Sequence, residues 1–529
     1  MDLFSLDDQN QIREYPDRLI VEYSATSNLK NMTSARKLQF FHPAIPLLLG
    51  LITSQIIATI QVYVSNLDLY ATVTLINDSG YLAVPNQNVM TGLKEFTPAF
   101  CGGMFYTLSI GAGISLLSLA AAWIWHDHFS GNKHLLILFL LLWAGLLLFI
   151  NLRGFSLFVT LYFIAIPPIV FGSMLVFGYD RQLSGRYVMV HLIPVMVLAI
   201  LWFTQYDRHL FLDLRDHLLF SNSIGKKVTD FYYSYTLYAA EAFKSLDQKL
   251  IKTCRLENFS NSNLVKSIEK ELIKYDYLPI EADGSVDLNL VRANGYLLFE
   301  HHGRRILKTT INEFGSQPQN VLHRISTASD RFSIFRQFTF ISLLLAYPLM
   351  LYILFHALIW FIILFFMDTR KATILSSILC FSISLGILAV FYFSRSPQIT
   401  EHELAKALRS NQWQERVAAL RFIEESKMEI GQFKDYAKIA TSHRISERYW
   451  LAKALANSRQ AETLKVLLTL SNDSNTNVVS MAYWAMALRK YSGAIEEILR
   501  QIKTSDHWYS QLYAYKALRS LGWNQSQSH

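Results

Sequence analysis

Apolar residues dominate the chain between residues 43 and 206 and again between 337 and 394, in runs that charges interrupt only near their ends. A helix needs about 20 apolar residues to cross a hydrocarbon core about 30 Å thick. Seven runs meet that length: 43–64, 99–125, 134–151, 156–178, 187–206, 337–367 and 372–394. Lipid offers no partner to a bare N–H or C=O, so each run is expected to be a helix. Pro167, Pro168 and Pro194 are expected to kink the fourth and fifth. The sixth run is 31 residues long, which makes a helix of about 46 Å, long for one crossing and short for two. A single tilted crossing bent near Pro348 is expected, with a hairpin as the alternative.

The pattern changes between the fifth and sixth runs. Residues 207–336 alternate short helical and strand-like stretches and predict a small α+β domain. The stretch opens with Leu210, Phe211, Leu214, Leu218 and Leu219 interleaved with Asp213, Arg215 and Asp216, a pattern expected to lie on the bilayer surface. An aromatic-rich helix over 230–254 and a second over 262–275 follow. Strands are expected in 285–291 and 296–310, the latter turning at Gly303, before a polar helix over 319–337. Phe231, Tyr232, Tyr233, Tyr235, Tyr238 and Phe243 form the densest aromatic patch. Such a patch suits a ligand cradle, packing within its own domain, or the membrane interface where Tyr is enriched.

After residue 395 the chain reads as a soluble helical domain built from a repeat. WQERVAAL, SERYWLAKAL, NVVSMAYWAMAL and WYSQLYAYKAL end in Ala-Leu at Leu420, Leu455, Leu488 and Leu518, with spacings of 35, 33 and 30 residues. Ala418, Ala419, Ala452, Ala454, Ala485, Ala487, Ala514 and Ala517 are small enough for successive helices to approach closely, and the four leucines are expected to fill the shared core. Units of this length with two helices each signal an α-solenoid. This tail, about 120 residues or a quarter of the chain, resembles HEAT-like repeats, and tetratricopeptide-like pairing stays open. The resemblance implies a curved protein-binding surface without catalysis. Aromatic residues dominate interface hot spots, so Trp413, Tyr449, Trp450, Tyr483, Trp484, Trp508, Tyr509 and Tyr513 are the expected anchors for a protein partner. The multi-span part resembles no family.

Composition and charge refine this layout. The chain divides into a polar segment over 1–42, a five-helix membrane region over 43–206, the α+β domain over 207–336, a two-helix region over 337–394 and the repeats over 395–529. Charged residues make up 17% of the 529, against about 25% in soluble proteins. The net charge of +8 is spread among loops beside the spans rather than gathered in a patch, which argues against nucleic acid as a partner. The loops after the second, fourth and sixth runs carry Lys133, Arg181, Arg186, Arg370 and Lys371. Those after the first and third carry Lys94 and Arg153, and the N-terminal flank adds Arg36 and Lys37. Positive loops stay inside, so a cytoplasmic N-terminus is expected, with both soluble parts in the periplasm of a bacterial inner membrane. The first 38 residues are polar and offer no cleavable signal, so the first run is expected to direct insertion.

Candidate chemistry is sparse. Cys101, Cys254 and Cys380 form no ligand spacing. His126 and His128 flank Asp127, with His134 nearby, and are the one weak candidate for a metal site. Glu300, His301 and His302 sit beside the expected hairpin, where adjacent strand residues point to opposite faces and chelate poorly together. His191 and His356 fall inside runs, whereas no run holds an Asp, Glu, Lys or Arg near its middle, which weighs against an ion pump. Gly102, Gly103, Gly111 and Gly113 suit close helix packing. No nucleotide loop, nucleophile elbow or zinc-protease motif is present, and no cofactor is expected. The sequence therefore points to a mainly α polytopic membrane protein with an α+β insert and a C-terminal solenoid, acting as a non-enzymatic scaffold. A permease for a neutral or lipidic substrate, or a membrane enzyme acting on envelope substrates, is the alternative.

Overall fold

The computed structural model describes residues 43–178, 185–204, 210–393 and 397–527. The expected polar segment over 1–42, and Arg181, lie outside the described residues. Among the described residues, six helices are long and apolar enough to cross a membrane: α1 (Ala44–Asp78), α2 (Phe96–His126), α3 (Lys133–Ile150), the apolar part of α4 (Leu157–Gly178), and two later ones described below. A seventh apolar helix, α5 (Gly185–Phe203), occupies the fifth expected run. Helices α4 and α5 continue through Pro167, Pro168 and Pro194.

Helix α1 runs 14 residues beyond the expected limit at residue 64 and spans 35 residues, about 52 Å. That length exceeds a hydrocarbon core about 30 Å thick. The core of the bundle is α1, α2 and α4, where small residues let backbones meet. A side chain at Gly103 would strike the backbone of Ala58 and Thr59 on α1, and one at Gly111 would overlap Ser54. Helix α2 includes a π turn over Thr107–Gly111 at this contact. In contrast, α3 leaves Leu140, Leu141, Leu142 and Leu148 at least 60% exposed, as a lipid-facing helix should.

The insert begins with a short helix, α6 (Leu210–Leu214), continued by a π turn over Arg215–Leu219. Helix α7 (Ser223–Glu241) follows, capped by Asn222, whose Oδ1 accepts from Gly225 N at 2.7 Å. The helix expected over 230–254 ends here. Ser245 and Gln248 form a capping box over a short turn, and the chain enters β1 (Lys252–Glu257) as a strand. Helix α8 (Ser262–Lys274), β2 (Tyr277–Pro279), β3 (Leu288–Ala293), β4 (Tyr296–His301) and β5 (Arg304–Thr310) complete a five-stranded sheet in the order β2-β1-β3-β4-β5. Strand β1 pairs parallel with β2 and β3, while β3, β4 and β5 form an antiparallel meander turning at Gly303, as expected. Helix α8 and α9 (Pro318–Ser329) bury Ile268, Leu272, Val321, Leu322 and Ile325 in one core with Cys254, Leu290 and Phe299.

The sixth expected run is one helix, α10 (Ser333–Ile363), which passes through Pro348 without folding back. It is followed by α11 (Thr369–Phe393). These are the remaining two of the six span candidates, the apolar part of α11 ending at Val390.

In the tail, α12 (Trp413–Glu425), α13 (Ile445–Leu455), α15 (Thr476–Leu488) and α17 (Trp508–Ser520) pack one on the next. Between them lie α14 (Ala461–Leu470) and α16 (Ile495–Thr504). Each packed helix starts from the same turn. Ser410, Ser442, Asp473 and Ser505 accept, through their side-chain oxygens, from the N–H two residues on, at 2.8–3.1 Å. Arg416, Arg448 and Gln511 then donate back to the carbonyls of Ser410, Ser442 and Ser505. The turns are 32, 31 and 32 residues apart, more even than the Ala-Leu spacing. The reason is that the Ala-Leu pairs do not occupy equivalent helix positions. Leu420, Leu455 and Leu518 are fully buried, but Leu488, at the very end of α15, is 54% exposed and does not fill the shared core.

Three segments distant in sequence close into one body: the loop between α1 and α2, the insert, and the tail. Asn86 in the loop donates from Nδ2 to the carbonyls of Ile502, Lys503 and Ser505, while its N–H reaches Gln511 Oε1 at 2.8 Å. Asp276 in the insert accepts from Tyr515 at 2.6 Å and pairs with Arg519 at 2.9 Å. The deepest contact is ionic. Arg421 on α12 reaches Asp213 and, at 3.0 Å, Asp216, and Asp216 also accepts from Trp450 Nε1 at 2.6 Å. The tail therefore covers the charged positions Asp213 and Asp216 of this stretch, while Leu214, Leu218 and Leu219 stay half-buried and the side chains of Leu210 and Phe211 lie outside the described residues.

Arg421→Ala leaves two buried carboxylates with one cation fewer, and breaking a buried pair costs about 3–5 kcal/mol. The expected outcome is earlier thermal unfolding of the purified protein, followed by intrinsic tryptophan fluorescence, while Arg409→Ala at an exposed pair changes little.

Candidate functional site

The eight aromatic residues expected to anchor a partner are largely engaged within the chain. Tyr449, Trp450, Tyr483 and Trp508 are buried, and Trp413, Trp484, Tyr509 and Tyr513 are half-buried. Trp508 meets Tyr238 edge to face with centroids 5.1 Å apart, and Tyr509 meets Tyr233 at 4.5 Å. The Arg215 guanidinium lies 3.8 Å above the Tyr449 ring, and Trp413 packs 5.0 Å from the His217 ring. The aromatic patch on α7 thus faces the tail through Tyr233 and Tyr238, and Tyr513 accepts from Tyr509.

The histidine candidates divide. His126 ends α2 in the π turn Ile124–His128, His128 is exposed with its ring 5.6 Å from that of Phe129, and the side chains of Asp127 and His191 lie outside the described residues. His301 and His302 do not point to opposite faces. The strand ends at His301, and His302 enters the turn with φ +48°, bringing the two rings within 4.1 Å. Burial pushes both imidazoles below the ordinary histidine value, and His301 Nδ1 lies 2.6 Å from the Asp287 carbonyl. Among the described residues, no group of three or more His, Cys, Asp or Glu is placed to hold a metal ion. His356 is buried in α10 beside Tyr352.

A cleft that no local motif announced lies where the insert meets the repeat turns. It encloses about 570 Å³ between the start of α7 and the turns that open α13 and α15. Lys226, His443, Arg444, Arg448 and Asp473 line it, with the hydroxyl of Ser442 among the polar groups. Each position has a cause in the fold. Gly225 lets α7 begin against the carbonyls of Leu218 and Leu219, where a Cβ would lie within 2.5 Å of both. That places Lys226, one residue on, at the cleft wall. The turn at Ser442 carries His443 and Arg444 into the opposite wall, with the Arg444 guanidinium 5.3 Å above the Trp413 ring. Asp473 is the one carboxylate among the described lining residues, and Arg448 holds it at 2.6 Å. Lys226 and Arg444 therefore contribute charge that no lining carboxylate answers.

No protein-family model, curated protein or solved structure matches the chain. The cleft and its surroundings must be read on their chemistry alone. That chemistry suits binding: cations, hydroxyls and the first turns of α7, α13 and α15 surround an open volume of small-ligand size.

The insert that carries one wall has its own charge anchor. Burial opposes ionisation of Asp287, but Lys249 at 2.5 Å and the N–H of Thr253 at 2.9 Å outweigh it and hold the carboxyl below its ordinary range. Its stabilising effect is therefore complete above the unfolded carboxylate value, about 3.9, and is lost as pH falls through the lower folded value. Asp287→Asn is expected to cost about 1–3 kcal/mol at neutral pH, allowing for the partly exposed Lys249. The gap to the unaltered protein should narrow on acidification below about pH 4, in melting curves recorded across pH.

Proposed function

We propose that this chain is a non-enzymatic membrane-anchored scaffold: seven crossings hold a preassembled extramembrane body that receives a protein partner. The carrying observation is the closure of loop, insert and tail into one body through buried contacts. A body of that kind presents fixed surfaces, which assembly requires, and leaves no hinge between insert and tail at Asp216.

The count of seven draws on the same contacts. The loop, the insert and the tail follow the first, fifth and seventh expected crossings. They can touch across water only if they share one side of the bilayer, and with the other six helices crossing, a crossing by α5 meets that condition. Arg153, in the loop after α3, donates to Ser333 at the start of α10, which fits the same side. Lys133, Arg370 and Lys371 then fall on the other face with Arg186, and the positive-inside tendency makes that face cytoplasmic. On this reading the body is periplasmic in a bacterial inner membrane.

The four like turns and their packed helices support a HEAT-like solenoid. One face of it is taken by α6 and α7 of its own chain, so an external partner must use what remains. Half-buried Trp484, beside Lys453, and Tyr513, beside Lys516, are the anchors we favour.

Single cysteines replacing Asn88, Asn294 and Lys490, treated with an impermeant maleimide on intact cells and on inverted vesicles, test the topology. All three should label from the outside, and Lys371→Cys from the inside. Labelling of Asn294→Cys from the side opposite Asn88→Cys overturns the seven-crossing arrangement. For the scaffold itself, the mildly solubilised protein should migrate in a complex on native gels, and Trp484→Glu with Tyr513→Glu should release it. A chain that migrates alone before any substitution removes the scaffold reading.

A further inference from the structure

We propose that the cleft between α7 and the turns opening α13 and α15 binds a phosphate-bearing group. The inference stands apart from the scaffold reading, since it needs no protein partner. It starts from the imbalance of charge. Two cations on opposite walls, Lys226 and Arg444, converge on one volume whose single described carboxylate is already held in two contacts by Arg448, at 2.6 and 3.1 Å. Like charges brought together around an open space raise the affinity of that space for an anion.

The remaining donors match phosphate geometry. Arg444 offers a planar fork suited to two oxygens of one phosphate, and Lys226 a point charge from the facing wall. The Arg444 guanidinium lies 5.3 Å from the Trp413 ring centroid, a cation–π contact that holds the group at this wall. His443 is exposed at the same wall and adds a further donor. Helices α7, α13 and α15 all begin at the cleft, and their first N–H groups add partial positive charge at the same place. A volume of about 570 Å³ is larger than a lone phosphate needs, so the ligand carries a polar body as well.

Two sources offer that chemistry: a soluble phosphorylated compound and a phospholipid headgroup. Helix α7 makes the second physically accessible. It carries Lys226 at the cleft, while Ile224, Val228, Phe231 and Tyr232 stand 42–76% exposed along its length. Its far end is tied to α2 by Tyr106, whose hydroxyl donates to the Ala239 carbonyl at 2.8 Å. A helix so tied, with bare apolar side chains, fits the interfacial zone where headgroups lie.

The test uses the full chain in phosphatidylcholine nanodiscs. Inorganic pyrophosphate is titrated in one arm, and phosphatidic acid is included in the bilayer in the other. Thermal unfolding is the readout in both. The proposal expects a saturable rise in unfolding temperature in at least one arm. It also expects a Kd weakened by about tenfold or more in Lys226→Ala with Arg444→Ala, from loss of charge-assisted bonds. Lys227→Ala, exposed one residue away and outside the lining, should bind as the unaltered chain does. Response to pyrophosphate alone assigns a soluble ligand, and response to phosphatidic acid alone assigns a lipid headgroup. Should the double variant fail to fold, Lys226→Gln is read instead, because its exposed side chain can change without disturbing packing. No rise in either arm, or equal binding by the lysine variants at 226 and 227, overturns the proposal.

Discussion

The extramembrane body depends on one buried charge arrangement. Asp216 has no solvent exposure, and Arg215, Arg421 and the indole of Trp450 all donate to it. Carrying a carboxylate out of water costs several kcal/mol unless its oxygens are answered by well-placed donors. Here the donors come from two segments more than 200 residues apart. Apolar packing alone would tolerate sliding of the tail over α6, whereas this arrangement is satisfied in a single register. Arg421 also reaches Asp213 one turn away, which fixes the rotation of α6 as well as its position. The cleft is a consequence of that register, since it exists only while the start of α7 stands opposite the turns at Ser442 and Asp473.

What was legible in the sequence follows from how strongly each environment constrains residue type. Lipid demands both length and apolarity, so the apolar helices were readable, and the four glycines in the first part of α2 do meet neighbouring segments. The outer extension of α1 was not readable. Its residues NLDLYATVTLIND mix polar and apolar positions because they pack partly on protein and partly face water. Strand β1 was hidden for a different reason. Lys252, Thr253 and Cys254 follow a helical pattern directly, and all three are buried, so no alternation separates them from the helix.

The tail aromatics carry a different lesson. Periodicity reveals that a face is covered, but bilayer, foreign protein and the chain's own segments all cover an apolar face equally well. Trp450 and Trp508 were therefore recognisable as contact residues but not as contacts with Asp216 and Tyr238. The cleft had no local signature, because its walls come from separate segments and its chemistry lies in their juxtaposition. One signal was available: a Ser or Asp stands at 410, 442, 473 and 505, and that near-constant interval marks the turns more faithfully than the Ala-Leu endings do.

The packing of the bundle bears on the choice between anchor and conduit. A conduit needs helices that can separate around a polar path. In this bundle the helices approach closely at glycines: a side chain at Gly50 would collide with Ser115 and Val170, one at Gly111 with Ser54, and one at Gly113 with Ser342. These contacts join α1, α2, α4 and α10 through glycines set against serine and valine side chains, so separating them means losing close packing along several interfaces at once. Polar chemistry with unanswered charge gathers instead in the extramembrane body, where two cations face an open cleft. Close packing among the apolar helices and charge gathered in the extramembrane body are the division that the proposed scaffold reading calls for.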